Sequence, residues 1–171
     1  MMNLISKIFK FPATFTMVVL LTTFVFGACS SADYEKHFDL PETGWNQDST
    51  YTFKFEVTDP EALYEVNYHI RNNLDYPFHN LYMQFFLEDE KNKKISSEIQ
   101  EVQLLEKRTG RPYGKGFSGI YQNKIRAFTY TFPKAGTYYF KVKQYMREPD
   151  LEGIVSVGVS LEKVNKQESG S

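Results

Sequence analysis

Between residues 51 and 57 every second side chain is apolar. Tyr51, Phe53, Phe55 and Val57 share one face, and Thr52, Lys54 and Glu56 share the other. A period of two requires a half-buried β-strand, because successive side chains of an extended chain point to opposite faces. The pattern recurs. Tyr64, Val66, Tyr68 and Ile70 alternate with Glu65, Asn67, His69 and Arg71. Leu81, Met83, Phe85 and Leu87 form a third set, with Tyr82 and Phe86 on the opposite face, as in a strand that is central or covered on both sides. Residues 124–132, 137–146 and 154–162 give three more, the last with Val155, Val157, Val159 and Leu161 in register. Asp59-Pro60, the stretch Asn72 to Pro77, Lys91 to Lys94, and Ala135-Gly136 supply the turns. Residues 95–105 fit two readings, since Ile95, Ile99, Val102 and Leu105 lie on one helical face but a short strand is equally open. Seven or eight strands with short turns and no interspersed helices predict an all-β fold. Its architecture is an antiparallel β-sandwich, Ig-like or jelly-roll-like.

The first 28 residues follow a different logic. Lys7 and Lys10 make a basic start without a nearby acid. An apolar stretch from Phe11 to Phe26 follows, broken only by threonines, and Gly27-Ala28 leads into Cys29. Basic start, apolar run and small-residue cleavage site are the parts of a secretory signal. The run is shorter than the roughly 20 residues that usually span a bilayer. The cysteine directly after it resembles a lipoprotein signal, in which the thiol is diacylated and cleavage leaves Cys29 first. Phe26 stands where such signals more often carry Leu. Lipid at Cys29 would hold the chain on a membrane, since each buried CH₂ contributes about 0.8 kcal/mol. Ser30, rather than Asp, follows the cysteine, and by resemblance to the general sorting rule this permits transfer to the outer membrane. The acids of Asp33 and Glu35 are too scattered for a surface-export signal, so the periplasmic face is favoured over the cell surface.

The expected organisation is therefore a signal peptide (1–28), a lipidated cysteine and tether (29–48), a sandwich domain (49–164) and a disordered polar tail (165–171). The tether would carry one short edge strand at 34–38, and Trp45 would plug one end of the core.

Composition narrows the chemistry. The 171-residue chain has 20 basic and 21 acidic residues. Loss of the signal removes Lys7 and Lys10 and leaves 18 against 21, a charge of −3. This balance gives no footprint for nucleic acid. The single cysteine forms no internal disulfide and excludes a cysteine-based zinc site. Gly114-Lys115-Gly116 lacks the spacing of a phosphate loop, and no nucleophile elbow is present. His37, His69 and His79 show no paired spacing of metal ligands and read as solvated or hydrogen-bonded surface residues. Glu88, Asp89 and Glu90 read as a solvated turn. No catalytic residue, metal or cofactor is expected. Tyr82, Phe86, Tyr113, Tyr121, Tyr139 and Tyr145 are candidates to face outward, and most of them are expected to be covered.

Two ordered segments carry a resemblance. One is Tyr68-His69-Ile70-Arg71-Asn72-Asn73, continuing through Tyr76-Pro77-Phe78-His79-Asn80-Leu81-Tyr82. The other is Gln144-Tyr145-Met146-Arg147, followed by Leu151-Glu152-Gly153-Ile154, Val157-Gly158 and Glu162-Lys163. Gly114 to Gly119 lies between them, and Trp45 and the Phe53/Phe55 strand lie upstream. In this order, behind a lipoprotein signal, the chain resembles the gliding motility lipoprotein GldH family over about residues 29–163. The resemblance implies a non-catalytic accessory or interaction component of the envelope, with envelope or motility-machinery proteins as partners. A carbohydrate-binding sandwich in the same envelope is the alternative. Arg71, Asn72, Tyr76, Asn80 and Arg147 stand out on the matching segments. Each sits beside a loop that it would either fix or offer to a partner.

Overall fold

A computed structural model describes residues 32–164; the signal peptide, Cys29 and the tail beyond Val164 lie outside the described residues. No helix among the described residues is long and apolar enough to cross a membrane. The chain forms β1 (Tyr34–Asp39), β2 (Trp45–Asn46), β3 (Tyr51–Val57), β4 (Tyr64–Asn72), β5 (Asn80–Asp89) and β6 (Lys94–Gln103). It continues through β7 (Lys115–Phe117), β8 (Ile120–Tyr130), β9 (Gly136–Gln144), β10 (Asp150–Leu151) and β11 (Ile154–Lys163).

The fold is an antiparallel β-sandwich. One sheet runs β1-β11-β4-β8-β7, the other β3-β9-β5-β6, and β2 pairs with β10 as a separate ribbon. Among the eight long strands the pairs are nested: β1 with β11, β3 with β9, β4 with β8, β5 with β6. That is one long hairpin rolled so that its strands alternate between two sheets. Of the two architectures open from the sequence, this is the jelly roll. Its core is aromatic. Tyr68 of one sheet meets Phe140 of the other at 6.0 Å, and Phe128 stacks on Phe85 at 5.0 Å.

Rolling has two consequences for position. First, the first and last strands are neighbours. Residues 34–39 hold six register positions along β11, and Trp45 is wholly buried. From Tyr34 onward the segment assigned to the tether is therefore part of the domain. Its strand runs one residue beyond the expected 34–38. Pairing with β11 stabilises it where its own apolar pattern is weak. Second, the loops sort into two ends. The chain enters at Tyr34, beside Leu161 and the start of β4. The loops 40–44, 73–79, 104–114 and 145–149 and the β7–β8 hairpin all lie at the opposite end.

Residues 95–103 fall in a strand. In β6 the positions opposite the buried Met83 and Leu81 are Gln100 and Val102, so a polar residue occupies an inward site. Gln100 is satisfied there by the Tyr68 hydroxyl, which donates to it at 3.0 Å, and by donating to the Ala127 carbonyl at 3.1 Å.

Candidate functional site

The residues singled out on the two loops lie at the end opposite the chain's entry, and the structure divides them into a buried frame and an exposed pair. Asn72 is buried. Asn123 donates to its side-chain oxygen at 3.0 Å, and Asn72 in turn donates to the Asn73 carbonyl at 3.1 Å. Tyr76 is buried and its hydroxyl donates to the Asn80 carbonyl at 2.7 Å, closing the loop on itself. Burial pushes the Tyr76 hydroxyl pKa well up, so it stays a donor at any physiological pH. Gly153 packs against this corner with φ of +80°, and a Cβ there would lie 2.4 Å from the Tyr76 backbone. Only glycine fits such an approach at that φ. The Asn80 amide donates to Glu101 at 2.6 Å. With the Tyr82 hydroxyl, it holds the Glu101 carboxyl below the usual carboxylate range.

Arg71 and Arg147 behave differently. Neither guanidinium has an ion-pair or hydrogen-bond partner among the described residues. The turn beside Arg71 is held by Asn72 and Asn73 instead. The loop carrying Arg147 is held by Gln144, which sequence reasoning did not single out. Its buried amide donates to the Glu148 carbonyl at 2.7 Å and accepts from the Met146 N–H at 2.7 Å. A glutamine ending an otherwise apolar strand face was the only available signal.

The two arginines share an end of the sandwich but line separate depressions. Arg71 lies on the outer face of the β1-containing sheet, near Lys115 and the β7–β8 hairpin. That hairpin turns on Ser118 and Gly119, both at positive φ, and leaves Phe117 at its tip 89% exposed. Arg147 borders a groove of about 630 Å³ on the outer face of the other sheet, lined mainly by Phe78, Tyr82, Ile99, Tyr145 and Met146. Tyr82, Ile99 and Tyr145 are exposed on it. The groove is apolar with the exposed Arg147 and Glu148 at its rim, the composition of a surface that docks a partner.

Other candidates resolve plainly. Of the five tyrosines and one phenylalanine that are candidates to face outward, Tyr82, Tyr113 and Tyr145 are exposed, while Phe86, Tyr121 and Tyr139 are half-buried. Trp45 is sealed inside, its indole N–H donating to the Ser49 carbonyl. Glu88 pairs with Lys141 and Glu90 with Lys134, while Asp89 caps its own turn by accepting from the Lys91 and Lys93 N–H groups. His69 departs from its expected surface position. It is 5% exposed although it points away from the core, because His37 leans across to cover it. Burial pushes its imidazole pKa down.

Comparison with known proteins agrees with this architecture of frame and groove only at the level of the whole chain. The profile of the GldH lipoprotein family matches residues 32–161. The gliding motility lipoprotein GldH homolog of Christiangramia forsetii is 27% identical over 155 residues, covering 85% of this chain and 93% of its own. The gliding motility lipoprotein GldH of Flavobacterium johnsoniae is 27% identical over 156 residues, covering 85% and 94%. Both are named as gliding motility lipoproteins and not as enzymes. Among solved structures, a family GH115 4-O-methyl-α-glucuronidase aligns with a TM-score of 0.47 and 18% identity, and this chain spans 18% of it. A match over the whole sandwich, together with relatives aligned almost end to end, places the chain in the GldH lipoprotein family.

Proposed function

We propose that this protein is a non-catalytic interaction component of the cell envelope, anchored by lipid on Cys29 to the outer membrane on its periplasmic face. Its partners are other envelope proteins of the kind that make up a motility machinery. The observation that carries this reading is the sorting of the two ends. The chain enters the domain at Tyr34, five residues after Cys29. Phe117, Tyr145, the groove beside Arg147 and the unpaired Arg71 all lie at the other end. A domain tethered through its entry end would leave the opposite end free for contact. Apolar side chains with unpaired guanidinium groups beside them are the composition enriched in protein interfaces. The same groove could offer Tyr82 and Tyr145 to a sugar ring, but Trp45, the largest ring, is sealed in the core.

The test is crosslinking in living cells followed by affinity capture and mass spectrometry, with wild type beside Cys29→Ala. The wild type is expected in the membrane fraction with a reproducible set of envelope proteins, and Cys29→Ala is expected to lose both. Capture of the same set by an unanchored variant would refute the need for the anchor. Capture of no envelope protein by the wild type would refute the interaction reading.

A further inference from the structure

The entry strand and the central strand of one sheet bring three metal-binding side chains together across a glycine. His37 of β1 and His69 of β4 both pair with Gly158 of the strand between them. Their backbones are thus two strand spacings apart, roughly 9–10 Å, too far for adjacent-strand contact. The imidazoles nevertheless meet, with centroids 5.2 Å apart and ring planes at 71°. Gly158 makes this possible, because a Cβ there would lie 2.3 Å from the Nδ1 of His37. Glu35, two residues along the same face, places a carboxylate oxygen 2.8 Å from the Nε2 of His37.

The hydrogen bonds fix which nitrogens are free. Ser160 Oγ donates to Glu162 Oε1 at 3.1 Å, so it accepts from the Nε2–H of His69 at 2.9 Å. The Nδ1 of His69 then carries a bare lone pair. Likewise the Glu35 carboxylate only accepts, so the Nε2–H of His37 donates to it, and in the neutral ring Nδ1 is then bare. Both Nδ1 atoms are buried and lack a hydrogen-bond partner among the described residues. Burying an acceptor without a partner is costly, and one cation between the two rings would satisfy both. The nearest fixed positive group, Lys124, is occupied by both oxygens of Glu162 at 2.7 and 2.8 Å.

We propose that Glu35, His37 and His69 bind one divalent transition-metal ion of the zinc class. One donor atom from each lies within 4.8 Å of the others. A tetrahedral zinc site with bonds of about 2.0–2.1 Å needs donors about 3.3 Å apart, so the part-exposed Glu35 carboxylate would leave the Nε2 of His37 and turn to the ion as it binds. Two imidazoles and a carboxylate suit zinc and its neighbours over calcium or magnesium, which take oxygen. The bond from His69 to Ser160 is the outer support that orients a ligating imidazole. The ion would clasp β1, the strand that follows the anchor, to β4 across β11.

The test uses the full chain in detergent, purified without a polyhistidine tag. It is titrated with Co²⁺ at neutral pH while visible absorption is followed, then with Zn²⁺ in competition. The expected result is one equivalent of Co²⁺ in a low-coordinate spectrum, displaced by Zn²⁺. Affinity should fall by at least about tenfold in His37→Gln and His69→Gln, and stay unchanged in His79→Gln. Should His69→Gln fail to fold, His37→Gln on the edge strand decides, with circular dichroism confirming its fold. The proposal is overturned if wild type binds no stoichiometric ion, if folded His37→Gln binds as tightly as wild type, or if His79→Gln loses binding equally.

Discussion

The two ends of the sandwich are closed by different chemistry. At the entry end Phe132 is enclosed by rings, with Tyr138 at 4.6 Å, Tyr130 at 5.0 Å, Tyr64 at 5.5 Å and Phe55 at 5.8 Å. Tyr138 also donates to the Lys134 carbonyl at 2.9 Å and Asp89 caps the neighbouring turn, but the rings fill this end by burying one another. At the far end closure is polar. The Asn72–Asn123 contact, the Tyr76 hydroxyl and the Gln144 amide satisfy loop backbone and leave apolar side chains outside. Aromatic packing puts stability into the entry end. Hydrogen-bonded loops hold a defined shape at the other while spending little apolar surface on it, which leaves Tyr82, Ile99, Tyr145 and Phe117 for contact.

Substitutions at the two ends should therefore separate stability from recognition. The largest stability effect is expected at Phe132→Ala, which should lose about 3–5 kcal/mol by denaturant unfolding. Whatever remains folded should keep its partners. Gln144→Leu should cost less, about 1–3 kcal/mol, by orphaning the Glu148 carbonyl and the Met146 N–H. Its signature is faster proteolysis within residues 145–149 with the sheets intact, read by mass mapping of fragments. Arg147→Ala should cost the least, within about 0.5 kcal/mol, since its guanidinium has no partner to lose among the described residues. It should still reduce partner capture. If Arg147→Ala destabilises as much as Gln144→Leu, the division between frame and exposed pair is lost.

Most of the core was legible in the sequence because alternation reports burial directly. Phe53, Phe55 and Val57, and Leu81 through Leu87, sit inward as their period predicts. The failures have physical causes. In β6 the alternation is inverted at residues 99 and 100, with Gln100 inward on Tyr68 and Ile99 outward in the groove beside Tyr82. One apolar residue displaced to the outer face made residues 95–105 fit a helix as well as a strand, and that residue belongs to the candidate docking surface. The loop residues were legible as a set but not in their roles, because a sequence cannot show whether an arginine finds a partner. Among the described residues Arg71 and Arg147 lack one, while Asn72, Tyr76 and Gln144 have theirs. The meeting of His37 with His69 was invisible for another reason. It depends on the first strand pairing beside the last, in a register that brings Gly158 between the two rings.

The central claim is that the end opposite the chain's entry is the one that meets partners. A photoreactive amino acid placed at Tyr145, and in a second strain at the exposed Thr131 of the entry end, tests it in cells. Crosslinks to the same envelope protein from position 145, and none from position 131, are the predicted result. Crosslinks from position 131 alone would contradict it.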